Sequence, residues 1–362
     1  MSLIIFLIIL SVLVIVHELG HFSVAKFFGI RVDEFGLGYP PKAKNLFRWK
    51  GTNFTLNWLP FGGFVKIFGE NPQDTPRSDL VGQGPTLAED NFQTKNRGIQ
   101  AAVLVAGVVC NFLFAWLLIS LGFVTGMPSP AGLSFPIENP QTVVTTIIPD
   151  SPAADAGIKS GDVLISIDNI SFTPEAASEY ISNANPPLVF KVDRGGVISE
   201  KVITPASGIV ADRSAVGIAM AVVGTAKLPL HKAFWQGLKT TSELTLLTAE
   251  ALGKFLSQAV VGRADLSAIT GPVGLVGMVG DVEELGFSHL VIFTALISIN
   301  LCLINLLPFP ALDGGRLLFV GIETVTRRAI PARIFNVLNT TGFALLIFLM
   351  ILVTIRDVRN IL

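Results

Sequence analysis

The amino-acid sequence predicts a polytopic α-helical membrane protein with about four transmembrane helices, a membrane-associated β-hairpin and one inserted β-rich domain. Hydrophobic residues make up 51% of the 362 residues and charged residues only 15%, whereas soluble domains contain about 25% charged residues. The apolar residues concentrate in four segments, within residues 1–28, 99–126, 289–315 and 335–356. Each is long enough to cross a hydrocarbon core of roughly 30 Å as a helix. The net charge of -1 argues against a nucleic-acid partner.

The distribution of basic residues predicts the orientation of the chain in the membrane. Residues 29–98 and the connection 316–334 are both rich in lysine and arginine. Because positively charged connections remain in the cytoplasm, we expect these two segments inside the cell. Residues 127–288 and both termini then lie outside. The first apolar run has no lysine or arginine before it and no small-residue cleavage site after it, which favours a retained helix over a signal peptide.

The outer region 127–228 contains a predicted β-rich domain at about 142–205, where short β-branched runs alternate with turn-forming residues. The stretch SPAADAGIKSGDVLISID, residues 151–168, resembles the core of a bacterial PDZ domain. That resemblance implies a groove in which a peptide or a new C-terminus adds as an extra strand. A β-rich module without a ligand is the alternative. Residues 229–288 are expected to form an amphipathic helix at the outer membrane interface, followed by a loop with the sequence GPVG.

The first apolar segment contains the motif HELGH, which places His17, Glu18 and His21 in surroundings as apolar as lipid. On a helix the two histidines lie one turn apart on the same face. Both imidazoles can therefore bind one Zn²⁺, with Glu18 placed to act on the attacking water. An ionisable residue inside a span costs about 2.5–3.5 kcal/mol on insertion scales and typically marks a functional site. The motif predicts a metal site in preference to an accidental or purely structural HExxH.

A catalytic zinc usually has three protein ligands and a water, so the two histidines leave one ligand to find. The candidate is Asp313, at the predicted end of the third apolar segment, where Pro308 and Pro310 break helical hydrogen bonding. Taken alone, Asp313 fits an ordinary Asp-Gly turn equally well. Topology favours the ligand role. The first and third segments run in the same direction, since one return crossing separates them, and Asp313 can reach the depth of His17 and His21.

Two motifs together resemble the hallmarks of the site-2 protease family of intramembrane zinc metalloproteases. They are HELGH and the pattern NxxPxPxLDGG, which runs from Asn305 to Gly315. Further family-like motifs are PFGGFVKIFGE at 60–70, the GxxxN step from Gly107 to Asn111, and TGPVGLV at 270–276. The resemblance covers almost the whole chain and is strongest to the bacterial regulator of sigma-E protease group. Better-known members of that group carry two tandem PDZ domains, whereas this chain has room for one, which leaves the sigma-E role itself open.

The resemblance implies specific roles for residues of this chain. One Zn²⁺ would be held by His17, His21 and Asp313, with Glu18 as the general base. The substrate would be bound by Asn305, Asn300, Gly62, Gly63 and Phe64. An interhelical hydrogen bond explains Asn300 equally well. The segment TNFTLNWLPFGGFVKI alternates like a pair of strands and resembles a re-entrant β-loop that pairs with an unwound substrate, while a cytoplasmic amphipathic hairpin is the alternative.

The implied function is regulated intramembrane proteolysis of single-span proteins, such as anti-sigma factors or signal-peptide remnants, in the bacterial inner membrane. The active site would face the cytoplasmic side and the PDZ domain the outside, with the lipid bilayer as a further partner. Two other classes of protein compete with this interpretation. A metal transporter would need ligands along a path through several helices, yet the fourth apolar segment contains no acidic residue or histidine. An inactive PDZ-bearing scaffold would be expected to lose Glu18 or Asp313, and both are present.

Overall fold

Among the residues that the computed structural model describes, four helices are long and apolar enough to cross a membrane. The described residues are 1–70, 89–131, 135–210, 213–263, 270–328 and 330–361. The four helices are Ser2–Phe27, Arg97–Thr125, Phe287–Leu306 and Ala332–Arg359. The expected combination of about four apolar helices with a β-rich region is confirmed.

The elements are labelled here in chain order. The helices are α1 (Ser2–Phe27), α2 (Arg97–Thr125), α3 (Pro152–Asp155), α4 (Pro174–Asn183), α5 (Leu230–Val260), α6 (Pro272–Glu284), α7 (Phe287–Leu306), α8 (Asp313–Thr326) and α9 (Ala332–Ile361). The strands are β1 (Val32–Trp49), β2 (Thr52–Ile67), β3 (Met127–Pro130), β4 (Glu138–Ile147), β5 (Val163–Ile167), β6 (Leu188–Arg194), β7 (Val197–Ile203), β8 (Ala206–Val210), β9 (Arg213–Ala215) and β10 (Ile218–Ala226). The chain forms two compact units, and the second comprises Ser120–Gln236 and Asp281–Ile292.

The third apolar helix is shorter than predicted. Helix α7 ends at Leu306, whereas the sequence was expected to continue the span to residue 315. Pro308 and Pro310 follow directly and cannot donate the backbone hydrogen bonds that would extend the helix. Asp313 is consequently the first residue of α8 and not the end of α7. The connection predicted over 316–334 is also largely helical, since α8 continues to Thr326.

Two glycines allow the sharp passage from α7 to α8. A Cβ at Gly314 would overlap the carbonyl oxygen of Leu307, and a Cβ at Gly315 would overlap that of Phe309. Only glycine fits such a close approach between helix and backbone. The LDGG sequence therefore folds the first turn of α8 tightly against the preceding connection.

The GPVG sequence is the start of a helix, where a loop was predicted. Helix α6 begins at Pro272, a residue that suits the first turn because its missing N–H has no helical partner to lose. The backbone N–H of Gly274 donates to Oδ2 of Asp357, a buried carboxylate in α9, at 2.8 Å. A Cβ at Gly271 would lie 2.6 Å from the same oxygen. A negative charge at a helix N-terminus is stabilising, so this motif joins α6 to α9.

Helix α5 contains the amphipathic sequence of the predicted interfacial helix. Large apolar side chains along it are exposed, among them Leu230 at 75%, Trp235 at 67% and Leu246 at 70%. Charged pairs such as Lys254 and Glu250, 2.6 Å apart, lie on the same helix. Its placement at the outer membrane interface stays a prediction.

Strands β1 and β2 form an antiparallel hairpin around Lys50 and Gly51, which have φ angles of 44° and 82°. The hairpin folds back on itself, so that residues 34–37 have partners on both sides. Phe35, for example, lies opposite both Val65 and Phe54. In the ladder formed by the described residues, 63–67 pair only with β1. This end of β2 is therefore an edge of the small sheet.

Aromatic packing fixes the hairpin to α1. The ring of Phe22 on α1 lies 5.5 Å from that of Phe35 and 5.7 Å from that of Phe54, both in edge-on geometry. Such pairs add about 0.5–1.5 kcal/mol beyond the burial of their area. The buried cluster continues through Val103 and Leu104 of α2. Helices α1 and α2 thus hold the hairpin in a defined position.

The β-rich domain is a sheet of six strands in the order β3-β10-β4-β5-β6-β7, with α4 packed against it. Its core includes Val144, Ile167, Leu188 and Phe190, each at most 1% exposed. The sheet is wider than the predicted range 142–205, because β3 and β10 extend it to residues 127 and 226. These outer strands were missed because they lie beyond the densest turn signals of the sequence.

A buried ion pair fixes one corner of the β-rich domain. Asp162 is 1% exposed and accepts hydrogen bonds from the Nε and Nη2 atoms of Arg194, at 2.7 and 2.8 Å. It also accepts from the backbone N–H of Lys159 at 2.9 Å. The hydrogen bond to Asp162 raises the pKa of Arg194 above its ordinary value, so Arg194 stays charged at every physiological pH.

The exchange Asp162→Ala should destabilise the β-rich domain, because it removes the acceptor of the Arg194 Nε–H and of the Lys159 N–H. We expect a loss of about 1–3 kcal/mol in the free energy of unfolding. Limited proteolysis of the full-length protein in detergent against temperature measures it. Glu200→Ala, at an exposed carboxylate of β7, is the matched control. Equal unfolding midpoints for the two variants would contradict the assigned role of Asp162.

Candidate active site

Helix α1 presents His17 and His21 on one face, one turn apart. Both residues are buried, with exposed fractions of 8% and 7%. Their Nε2 atoms lie 3.1 Å from each other, and the ring centroids are 4.7 Å apart in edge-on geometry. Two nitrogens of neutral imidazoles at this separation converge on a common point instead of facing separate partners.

Asp313, from the first turn of α8, completes the cluster. Its Oδ2 atom lies 2.9 Å from Nε2 of His17 and 3.3 Å from Nε2 of His21. The three residues form the group with metal-ligand geometry found among the described residues. Zinc bonds of about 2.0–2.1 Å in tetrahedral geometry separate neighbouring donors by roughly 3.3 Å. Two nitrogens and a carboxylate oxygen at these distances fit a zinc ion that keeps one position for water.

Glu18 lies beside this cluster on a neighbouring face of α1. It is partly exposed to a cleft of about 460 Å³ that is also lined by His21 and Asp313. The opposite wall of the cleft is the edge segment of β2, with side chains from Phe64 to Ile67. A carboxylate at the cleft, next to His21 and Asp313, is placed to exchange protons with a molecule bound there.

Glycines bring α1 and α2 close enough to surround the histidines. A Cβ at Gly20 would overlap the carbonyl oxygen of Ala106, so the two helices touch backbone to backbone at this point. At Gly107 a Cβ would lie 2.7 Å from Nε2 of His17 and closer still to Nε2 of His21. The flat imidazoles therefore occupy the space that a side chain at 107 would fill.

The predicted substrate residues of the hairpin divide into two groups. Phe64 lines the cleft with Glu18. Gly62 and Gly63 are buried against α1, where a Cβ at each would come within 3.6 Å of Val14 and 3.9 Å of Ile15. They hold the hairpin beside the helix, and Phe64 is the one of the three that lines the cleft.

The two predicted asparagines of α7 lie on different faces of that helix. Asn305 is partly buried and follows Ser298 by two turns on the same face. Ser298 is fully buried and donates to the backbone carbonyl of Asn111 on α2 at 2.8 Å. Asn300 is exposed and points away from that packed face.

Sequence reasoning missed an ion pair at the mouth of the cleft. Arg316, one turn after Asp313 on α8, pairs with Glu70 just beyond the end of β2. Both side chains line the same cleft as Glu18. The motifs that contain Glu70 and Asp313 were visible in the sequence. Nothing in either motif indicated that Glu70 and Arg316 come into contact.

The geometry is that of a metalloprotease: two histidines and an aspartate arranged for zinc, with a glutamate at the adjoining cleft. The model of Peptidase family M50 matches residues 5–349, and the chain belongs to this family, the site-2 proteases. It is a zinc metalloprotease. A Clostridium perfringens protein named as a zinc metalloprotease is 35% identical over 356 residues, which cover 96% of each chain.

Other similar proteins have related names. A zinc metalloprotease of Clostridium acetobutylicum is 31% identical over 96% of this chain and 94% of its own length. The zinc metalloprotease RasP of Geobacillus kaustophilus is 28% identical over 99% of this chain and 98% of its own length. The similarity therefore extends over both compact units and is not confined to the motifs.

The exchange Gly107→Ala should abolish zinc binding and activity, since the added methyl group occupies the space of both imidazole rings. Metal content after purification and peptide-bond cleavage in detergent measure the effect. Gly122→Ala, on the same helix, is the control, because a Cβ there meets nothing closer than 3.4 Å. Wild-type zinc content in Gly107→Ala would show that the histidines are not held as described.

Proposed function

We propose that this zinc metalloprotease cleaves transmembrane segments of single-span membrane proteins, such as anti-sigma factors or signal-peptide remnants, in the bacterial inner membrane. The observation that carries the proposal is that His17 and His21, beside Glu18 in the apolar helix α1, converge with Asp313 of α8. His17 lies about 15 residues, or roughly 22 Å, from the start of α1 at 1.5 Å per residue. A site at that position in a spanning helix acts on polypeptide inside the bilayer.

We assign one Zn²⁺ to His17, His21 and Asp313. Zinc held there would supply Lewis-acid chemistry, which lowers the pKa of water at the site toward neutral and polarises a peptide carbonyl. Glu18 accepts the proton of the attacking water and delivers it to the amide nitrogen of the leaving peptide. Asn305 is assigned to hold the substrate backbone, and Asn300 has a weaker case because its side chain is exposed on the other face of α7.

The edge segment of β2 supplies a template for an unwound substrate. Residues 63–67 pair with β1 on one side, and Phe64 to Ile67 line the cleft with Glu18. Val65 and Glu18 line the same cleft, which places this edge next to the proposed base. An extended substrate can add to an exposed edge through main-chain hydrogen bonds, with side-chain pockets for selectivity. Extension is required, since a helical peptide bond is shielded from attack.

For the β-rich domain we propose a PDZ-type module outside the cell, with the active site toward the cytoplasm as the charge pattern predicts. A small apolar groove of about 70 Å³ lies between α4 and the strand preceding β10, and is lined by Ile181, Val216 and Ile218. A peptide or a newly formed C-terminus would add there as a strand. The same domain can act by excluding substrates with bulky outer parts.

The exchange Glu18→Gln should lower cleavage of a single-span substrate by about 10²–10⁴-fold, the usual contribution of a general base. The amide keeps the size of the side chain but cannot accept the proton, so folding and zinc content should stay at wild-type values. Cleavage of a purified substrate in detergent or liposomes, together with metal analysis, measures both. Glu243→Gln, on an exposed carboxylate of α5, serves as control. Full activity in Glu18→Gln would refute the mechanism.

Strand addition can be tested by disulfide mapping in a Glu18→Gln background from which the native Cys110 and Cys302 are removed. A cysteine at Lys66, which lines the cleft, should cross-link to successive substrate positions with a period of two. A helical substrate would instead give a period of about 3.6. A cysteine at Lys50, in the hairpin turn, is the control and should give no periodic pattern. A helical period at Lys66 would rule out the template.

A further inference from the structure

We propose that Asn111 is a positioning residue that holds His17 in the tautomer whose Nε2 lone pair faces the metal. The inference rests on the proposed role of His17 as a zinc ligand and assigns a residue that orients it. Asn111 is fully buried on α2, one turn after Gly107. Its Nδ2 atom lies 3.2 Å from Nδ1 of His17. Its Oδ1 atom is buried and has no hydrogen-bond partner among the described residues.

The two nitrogens of His17 face different neighbours. Nε2 points into the cluster, 2.9 Å from Oδ2 of Asp313 and 3.1 Å from Nε2 of His21. Nδ1 points to Asn111. A neutral imidazole carries one proton, and a metal needs the unprotonated nitrogen. When Nε2 binds zinc, the proton must therefore be on Nδ1, where it requires an acceptor.

The side-chain amide of Asn111 can supply that acceptor. Rotation of the amide by 180° exchanges Nδ2 and Oδ1, so that His17 Nδ1–H donates to Oδ1. The rotation moves Nδ2 to the buried position that Oδ1 otherwise occupies, where the described residues offer no hydrogen-bond partner, so the contact with His17 determines the orientation of the amide. A single hydrogen bond, from His17 Nδ1–H to Asn111 Oδ1, both orients the imidazole and gives Oδ1 a donor. This hydrogen bond exists only in the tautomer that binds metal.

His21 shows the same arrangement in a fixed form. Its Nδ1 atom lies 2.8 Å from the backbone carbonyl oxygen of Val103, also on α2. A carbonyl oxygen can only accept, so this contact commits His21 to the tautomer with Nε2 free. Helix α2 thus offers one acceptor to each histidine, and the acceptor for His17 is the one that a side-chain substitution can remove.

The affinity for zinc distinguishes the proposed role of the Asn111 side chain from a merely structural one. The contact of Asn111 with α7 runs through its backbone carbonyl, which accepts from the Ser298 hydroxyl at 2.8 Å. Any residue at position 111 keeps that carbonyl. Removal of the side-chain amide should therefore leave the packing of α2 against α7 intact and change the affinity for zinc.

The test compares full-length Asn111→Ala, Asn111→Asp and Ser120→Ala in detergent, with His17→Ala as reference. Ser120 is on the same helix, and its hydroxyl is also buried with no hydrogen-bond partner in the described part of the chain. Each protein is equilibrated with Zn²⁺ and a competing chelator, and the bound zinc is measured. We expect Asn111→Ala to bind zinc about 10–100-fold more weakly, as on loss of other partners of metal-bound histidines. Asn111→Asp, which keeps an acceptor, and Ser120→Ala should retain zinc as the wild type does.

A spectroscopic measurement reports on the tautomer without activity. The chain contains 4 histidines, so ¹⁵N-histidine labelling gives a small set of imidazole signals. The protonated Nδ1 signal of His17 in the zinc-loaded protein should shift in Asn111→Ala, while that of His21 stays in place.

The outcomes separate this inference from the proposed function. Wild-type zinc affinity in Asn111→Ala overturns the role of Asn111, provided that His17→Ala loses zinc. Zinc retained in His17→Ala refutes the proposed metal site itself. If Asn111→Ala does not fold, Asn111→Asp provides the test. This variant keeps an acceptor for His17, so weakened zinc binding in the folded variant would overturn the inference.

Discussion

The structure depends on one constraint: ionisable side chains buried in an apolar helix must find polar partners. An imidazole or carboxylate left alone in hydrocarbon costs several kcal/mol, and here His17, His21 and Asp313 meet within 3.3 Å. That convergence requires α1 and α2 to touch at Gly20 and Gly107. It also requires the chain to reverse sharply after α7. The glycines, the prolines and the early end of α7 all serve to bring these three side chains to one point.

The hairpin meets a second requirement, because hydrolysis needs a substrate in extended form. The aromatic contacts from Phe22 to Phe35 and Phe54 hold the sheet against α1. The buried Gly62 and Gly63 let the other end approach Val14 and Ile15. The edge at 63–67 is thereby kept beside Glu18. The packing of one side of the sheet against α1 therefore determines which backbone groups of its free edge a bound chain can reach.

Much of this architecture could be predicted from local sequence patterns. The four apolar helices follow from segment hydropathy, and HELGH at helical spacing predicted the pairing of His17 with His21. The end of α7 was misjudged because apolar residues continue past Leu306, although Pro308 and Pro310 already marked the break. Strand β3 pairs with β10 across more than ninety residues of chain, as the register of Thr225 with Pro128 shows, and no local pattern encodes such a pairing. The contact between Glu70 and Arg316 was hidden for the same reason.

The exposed edge of β2 also bears on how water reaches the site. An open row of backbone donors and acceptors does not persist against lipid tails and is tolerated at that depth only where it borders a hydrated cavity. Under the proposed function, the cleft of about 460 Å³ lined by this edge and by Glu18 and His21 of α1 would be such a space. Water molecules that hydrogen-bond to the unpaired strand before a substrate binds would also supply the water molecule that hydrolyses the peptide bond. Binding of an extended substrate would then displace most of these water molecules and leave in place the one that attacks the peptide bond.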